Sequence, residues 1–170
     1  MFGHEKPEVL VVGAGPTGLL AALTLAEAGV KVMVIEEEPR TAGHSYALAL
    51  HPASVARLEG LGLGAELRAA GRAVTTLAIY EGADRRAAIP IGDARHPALA
   101  LPQSALEALL VDRLSKSKVK VHWSHRLARL EPGKDGVKAV VHRLERQSGG
   151  YSVARTPTSS RCRSMSAGSW

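Results

Sequence analysis

The 170-residue chain has the length of a single domain, and its 45% content of hydrophobic residues is sufficient for a buried core. Aromatic residues contribute only 4%, so the core must consist of Val, Leu, Ile and Ala, which is typical of parallel α/β architecture. The single cysteine, Cys162, excludes an internal disulfide and favours the cytoplasm as the location of the protein.

The net charge of +6 comes from the second part of the chain, because residues 111–170 carry 13 Lys and Arg against 4 Asp and Glu. Basic regions are a feature of proteins that bind nucleic acids or anionic surfaces. Here the basic residues are scattered along the segment and do not form a cluster. The pattern therefore favours a solvated surface and predicts no nucleic-acid partner.

Residues 8–36 have the pattern of a strand, a glycine-rich turn, a helix and a second strand. The apolar run Val9–Val12 predicts a buried parallel strand, and the second strand is predicted at residues 31–35. Between them lies a G-x-G-x-x-G turn at residues 13–18. A helix follows, with Gly29 near its C-terminus and an apolar stripe of Leu19, Ala22, Leu23 and Ala26. This order of elements is that of a dinucleotide-binding unit.

Each glycine of the turn has a separate physical role in such a unit. Gly13 permits the tight turn after the strand, Gly15 lets a pyrophosphate approach the amides at the positive end of the helix, and Gly18 lets the helix pack on the sheet. Pro16 lies near the start of the helix, where its missing N–H has no cost. We therefore predict that the turn binds the pyrophosphate of a dinucleotide through Gly13, Gly15, Pro16, Thr17 and Gly18.

Glu36 follows the second strand, 18 residues after Gly18. At that position a carboxylate accepts hydrogen bonds from both hydroxyls of an adenosine ribose, and it repels a 2′-phosphate. The acid therefore predicts FAD or NAD, and not NADP, as the bound dinucleotide. Glu37 and Glu38 are the alternatives for the ribose contact.

The uncharged run at residues 9–26 has 18 residues, which just meets the length of a membrane-spanning helix. Three glycines and a proline interrupt it, and Glu5 and Glu8 occupy the place where a signal peptide needs positive charge. We therefore predict that the run belongs to the core and that the chain has no membrane span.

The remaining elements alternate between helix and strand patterns. A short helix beginning at His51 or Ser54 is predicted to continue through Leu58, and a hairpin is predicted from strands at 74–80 and 86–91. An amphipathic helix follows Leu101, with Ser104 as N-cap and Glu107 completing a capping box. Its inward residues are Leu106, Leu109, Leu110 and Leu114. A third parallel strand at 119–123 precedes antiparallel strands at 127–130 and 137–144.

Three segments occur in an order that resembles a known family: the glycine fingerprint, HSYALALHPASVARLEGLGL at 44–63, and LPQSALEALLVDRL at 101–114 followed by VKVHWSHRLARLE at 119–131. Together they look like the N-terminal FAD-binding part of the FAD-dependent aromatic-ring hydroxylases, the single-component flavoprotein monooxygenases similar to para-hydroxybenzoate hydroxylase. The resemblance covers residues 7–146. It implies an α/β, Rossmann-like FAD/NAD(P)-binding domain with a parallel sheet and a β-hairpin insertion, truncated relative to the family.

The resemblance implies roles for particular residues. The glycine turn would line the FAD pyrophosphate and Glu36 or Glu37 would hold the ribose, while Gln103 would reach the phosphate–ribityl part of FAD. The backbone at Arg126 and Leu127 would lie near the adenine. The family usually has an arginine ahead of residues 47–54, and the residues to consider for that place are Tyr46, which occupies its register, and Arg40. Neither His122 nor His125 has a partner at metal-ligand spacing, so no metal site is predicted.

The implied activity is that of a monooxygenase in which NAD(P)H reduces FAD and dioxygen then hydroxylates a small aromatic or hydrophobic substrate. No acid, base or nucleophile stands out as a catalytic residue, which agrees with a reaction run by the flavin. Two alternatives come from other classes: a non-catalytic dinucleotide-binding module and an NAD-dependent oxidoreductase. The helix after Leu101 and the 74–91 hairpin argue against the second, because a simple NAD-binding unit contains neither.

Composition changes sharply near residue 147. Residues 1–146 are predicted to form the FAD-binding domain, with the start of a substrate-side hairpin at 74–91. The final 20 residues contain six Ser and three Arg without an apolar run. Residues 147–170 are therefore predicted to be a disordered tail or the product of a reading-frame shift.

Overall fold

The computed structural model of the chain describes residues 7–41, 49–93, 97–134, 136–147 and 150–162. The chain divides into two compact units, one comprising Met1–Ala42 with Leu110–Trp170 and the other Gly43–Leu109. In chain order the elements are β1 (Val9–Val12), α1 (Pro16–Glu27), β2 (Val32–Ile35), β3 (Ala49–Leu50), α2 (Pro52–Gly60), α3 (Gly64–Ala70), β4 (Arg72–Val74), β5 (Thr76–Glu81), β6 (Asp84–Pro90), β7 (Ala98–Ala100), α4 (Gln103–Lys116), β8 (Val121–His122), β9 (His125–Gly133), β10 (Gly136–Gln147) and β11 (Gly150–Cys162).

A parallel sheet with the order β1-β2-β8 forms the centre of the first unit. Val9 pairs with Val32 and Val12 with Ile35, and β8 continues the sheet through the pair Ile35 and His122. The predicted parallel strands are therefore confirmed. β1 is less buried than predicted, because it lies at an edge of this three-stranded sheet; its last residue, Val12, is 54% exposed.

Helix α1 buries three residues of the predicted apolar stripe, since Leu19, Ala22 and Leu23 are fully inaccessible, whereas Ala26 is half-buried. The helix ends just before Gly29, as the position of this glycine in the sequence predicted. The N–H of Gly29, at φ +79°, donates to the Ala26 carbonyl at 2.9 Å, and the N–H of the next residue donates to the Leu25 carbonyl at 3.0 Å. These two bonds form a Schellman motif, in which a residue with positive φ stops the helix.

An antiparallel sheet with the order β9-β10-β11 completes the first unit. Ala139 and Val141 of β10 form a buried cluster with Ile35 of β2, and Leu10, Met33 and Leu127 pack against it. The two sheets of this unit thus share one core. Among the described residues, no helix is long and apolar enough to cross a membrane.

The final segment differs from the sequence prediction. Residues 150–162 form β11, which pairs with β10 from Gln147 opposite Gly150 to Val137 opposite Cys162. A disordered tail is therefore wrong for this stretch. The pairing does not need an apolar run, because the bonds of an antiparallel ladder are made by backbone groups. Residues 163–170 lie outside the described part of the chain.

The second unit contains a small antiparallel sheet, β3-β7-β4, and the separate hairpin β5-β6. The predicted hairpin is confirmed, with Thr76 opposite Pro90 and Glu81 opposite Asp84. Helices α2 and α3 bury Val55, Leu58 and Leu67. The sequence patterns missed α3 and β7, which are short and depend on packing.

Candidate functional site

The candidate site lies where the parallel strands of the first unit end. The glycine turn follows β1, Glu36 follows β2, and His122 is the last residue of β8. The carboxyl ends of parallel strands are where open α/β sheets bind ligands. The predicted turn and the predicted acid are thus brought to one edge.

Two glycines shape the turn itself. Gly13 has φ +102°, which disfavours a side chain, and its N–H donates to the Ile35 carbonyl at 2.9 Å. A Cβ atom on Gly18 would lie 2.1 Å from the Gly13 carbonyl oxygen and 3.4 Å from Cγ1 of Val11. Helix α1 therefore packs so closely on the turn that only glycine fits at position 18.

Gly15 has a different surrounding. It is the N-cap of α1 with extended backbone, and apart from its chain neighbours no atom of the described residues lies within 4 Å of the position that its Cβ would occupy. No side chain caps this helix, its first turn contains no acidic residue, and Pro16 follows directly. The positive end of the helix and its first amide groups are thus open to an anion.

The Glu36 carboxylate bonds directly to the glycine turn. Its Oε2 accepts a hydrogen bond from the Ala14 N–H at 2.6 Å, and its Oε1 accepts one from the Glu38 N–H at 2.9 Å. The backbone N–H of Glu36 donates to the His122 carbonyl at 2.9 Å, and its carbonyl accepts from the His125 N–H at 2.7 Å. A carboxylate has about four acceptor positions, so these two side-chain bonds leave capacity for hydroxyl donors.

The neighbouring acids have other contacts. Glu37 is exposed and pairs with Arg126 of β9 at 3.5 Å. The Glu38 carbonyl accepts from the Ser124 N–H at 3.0 Å. Leu127 packs against the core cluster described above. Arg126 therefore lies beside the acidic segment, whereas the Leu127 side chain contributes to the core.

In the second unit, Gln103 is the first residue of α4 and is half-buried. Its amide Nε2 donates to Oε1 of Glu107 at 2.8 Å. Ser104 is the second residue of the helix, so its prediction as N-cap is wrong by two positions. The carbonyl of Pro102 instead accepts the first helical bonds, from Ala105 and Leu106. Tyr46 lies outside the described residues.

Three of the described histidines have contacts within the protein. His122 and His125 meet edge to face with ring centroids 5.7 Å apart. His51 caps α2, where its Nδ1 accepts from the Ala53 N–H at 3.2 Å. Within the part of the chain that the structure describes, no group of three or more His, Cys, Asp and Glu residues is placed to hold a metal ion.

His122 predicts a dependence of stability on pH. Burial lowers its pKa from the ordinary value of 6.5, and the nearby His125 and Lys120 lower it further. As the pH falls through about 6.5, the unfolded chain binds a proton before the folded one, so stability is fully present above this pH and decreases below it. We expect a lower unfolding temperature at about pH 5.5 than at about pH 7.5.

The His122→Gln variant should show a smaller difference between the two pH values. The same substitution at His142 of β10 controls for the loss of a histidine as such. An equal response to pH in wild type and His122→Gln would contradict this prediction.

The sequence profile of the FAD binding domain matches residues 6–154. The chain belongs to this FAD binding domain family. The predicted recognition as the FAD-binding part of the flavoprotein aromatic hydroxylases, with FAD as cofactor, is confirmed, as is the α/β fold class.

Two relatives of this FAD binding domain are monooxygenases. This chain is 33% identical over 144 residues to 6-methylpretetramide 4-monooxygenase of Streptomyces rimosus. The matched region covers 82% of this chain and 26% of the relative. The chain is 32% identical over 130 residues to para-nitrophenol 4-monooxygenase of Pseudomonas sp. (strain WBC-3), covering 72% and 32%. The chain thus spans roughly a quarter to a third of the length of these relatives.

A solved structure shows the same architecture. The crystal structure of p-nitrophenol 4-monooxygenase PnpA from Pseudomonas putida DLL-E4 matches with a TM-score of 0.75 and 27% identity. The match covers 87% of this FAD binding domain and 38% of that chain.

Proposed function

We propose that this chain is the FAD-binding part of a monooxygenase that uses NAD(P)H and dioxygen to hydroxylate a small aromatic substrate. One observation carries the proposal. The N-terminus of α1 at Gly15 has no side-chain cap, and the Glu36 carboxylate is bonded to the same glycine turn. Membership in the FAD binding domain family and the relatives' names support it.

The residues fit an FAD molecule. Gly15 leaves space for a pyrophosphate, Gly13 and Gly18 give the turn its shape, and Pro16 and Thr17 start the helix whose dipole attracts the anion. Glu36 would accept bonds from the adenosine ribose, and the Glu37–Arg126 pair would border that end. Gln103 is a further proposed FAD contact, on the resemblance to the family.

Bound FAD supplies the redox chemistry, and the chain's own residues bind and orient it. Helix α1 and the turn neutralise the pyrophosphate charge with fixed amide dipoles, which need no rearrangement on binding. The Glu36 carboxylate fixes the adenosine end through charge-assisted hydrogen bonds. The hydroxylation itself would need a substrate and NAD(P)H, for which no residue is assigned.

The first test of the proposal is the absorption spectrum of the purified chain after it is mixed with FAD. Purified chain that has been mixed with FAD and freed of excess should be yellow and show the flavin absorption bands. NADPH or NADH oxidation coupled to oxygen uptake in the presence of phenolic substrates would establish a monooxygenase. FAD binding without turnover would favour the non-catalytic module, and absence of FAD binding would contradict the proposal. The cytoplasmic location stays a prediction from the single cysteine.

Glu36→Ala should weaken both FAD binding and the fold. The loss of one charge-assisted hydrogen-bonding group should cost about 1.5–3 kcal/mol of FAD affinity. The Ala14 N–H, in a residue only 4% exposed, would lose its acceptor, which should cost about 1–3 kcal/mol of unfolding free energy. Flavin fluorescence quenching and urea denaturation measure the two effects.

Glu37→Ala is the matched control, because its exposed ion pair with Arg126 should contribute about 1 kcal/mol or less. If Glu37→Ala weakens FAD binding more than Glu36→Ala does, the ribose role belongs to Glu37.

A further inference from the structure

Glu107 is the one charged side chain among the described residues that is buried, with 2% of its surface exposed. Burying a carboxylate costs free energy unless hydrogen bonds and opposite charge compensate for it. Within the described part of the chain, no Lys or Arg forms an ion pair with Glu107; the contact found is the one from Gln103, at 2.8 Å. A buried charge with a single neutral donor is a poor source of stability.

The contact has a consequence for Gln103. A glutamine amide has two donors on one side and one acceptor on the other, and the two orientations are nearly equal in shape. A carboxylate only accepts, so Glu107 forces the amino group of Gln103 toward itself and turns the Oε1 carbonyl away. The bond joins residues four apart on one face of α4, where the helix brings such pairs together.

We propose that Glu107 is a positioning residue that holds the Gln103 amide in one orientation for FAD. This proposal rests on the proposed function, in which Gln103 contacts FAD. A neutral glutamine at position 107 presents both a carbonyl and an amino group, so this position no longer selects between the two orientations of the Gln103 amide. Charge-assisted hydrogen bonds are roughly twice as strong as neutral ones. Loss of the charge therefore lowers the fraction of molecules in which the Gln103 amide has the orientation that binds FAD.

The test compares FAD dissociation constants and unfolding temperatures of the full chain and three variants: Glu107→Gln, Gln103→Ala, and the double variant. We expect Glu107→Gln to raise the FAD dissociation constant about fivefold to tenfold. Its unfolding temperature should stay equal or rise, because a buried charge has been removed. In the Gln103→Ala background the same change should have no further effect on the dissociation constant, because Glu107 acts through Gln103. Glu66→Gln, at an exposed position of α3, is the control for the substitution itself.

Several outcomes would overturn the positioning role while leaving the proposed function intact. These are an unchanged dissociation constant in Glu107→Gln, an equal effect in the Gln103→Ala background, and a loss of unfolding temperature that accompanies the weaker binding. The last result would mean that Glu107 acts on the fold. Absence of FAD binding in the unchanged chain would instead refute the proposed function, and the positioning role with it.

Discussion

Gly15→Val should abolish FAD binding while the chain stays folded. The extended backbone of Gly15, at φ −71° and ψ 175°, is one that valine adopts readily, and beyond its chain neighbours the described part of the structure has no atom within 4 Å of the added Cβ. The side chain would occupy the space above the first amides of α1, where the pyrophosphate is proposed to lie. Loss of two or more charge-assisted bonds at about 1.5–3 kcal/mol each predicts at least about a 100-fold rise in the dissociation constant.

The measurement is a flavin fluorescence titration, together with the unfolding temperature of the variant. Gly60→Val is a matched control, since Gly60, at the end of α2, also has open space at its Cβ position among the described residues. Unchanged FAD affinity in Gly15→Val would remove the turn from the proposed site. Weaker binding in both variants would show that the effect is not local.

Gly18→Ala should destabilise the fold itself. Gly18 is the third residue of α1, and within a helix alanine is normally favoured over glycine by up to about 1 kcal/mol. Here the added Cβ would meet the Gly13 carbonyl oxygen at 2.1 Å, and this is a backbone atom that cannot move without shifting the turn. Overpacking of this kind costs about 1–3 kcal/mol or more, which outweighs the gain in helix propensity and is a large part of a domain's total stability.

Urea denaturation should therefore show a lower free energy of unfolding for Gly18→Ala, even without FAD. Gly64→Ala in α3 provides the contrast, because the atoms near its Cβ position belong to the flexible side chains of Arg68 and Glu59, at 3.1 and 3.2 Å. We expect that variant to be neutral or slightly stabilised. A Gly18→Ala chain as stable as the wild type would contradict the close packing of α1 on the turn.

The two glycine variants separate binding from folding at positions three residues apart. Gly15 faces open space, so its substitution should act on the ligand, whereas Gly18 faces backbone, so its substitution should act on the protein. The sequence motif predicts a separate role for glycine at each position, but it gives no distances from which the effect of a substitution can be derived. The distances make the two consequences independent and testable.

The amino-acid sequence by itself determined the elements whose causes are local. The apolar run of β1, the glycine turn, the stripe of α1 and the stop at Gly29 each depend on residues within a few positions of one another, and all lie where predicted. The β5-β6 hairpin has the same origin, with Gly82 at φ +62° in its turn.

Tertiary structure decided what depends on residues far apart in the chain. Strand β7 exists because β3 and β4 pair with its three residues, and β11 exists because β10 offers it a free edge, although β11 has no apolar run. The Glu36 carboxylate accepts a hydrogen bond from the Ala14 N–H, which lies 22 residues earlier in the chain. Glu107 is buried, although the sequence pattern predicted it as part of a capping box at the helix start. Backbone pairing and burial are properties of the folded chain. A backbone N–H can donate to any backbone carbonyl, and the packing of the folded chain selects which carbonyl it meets.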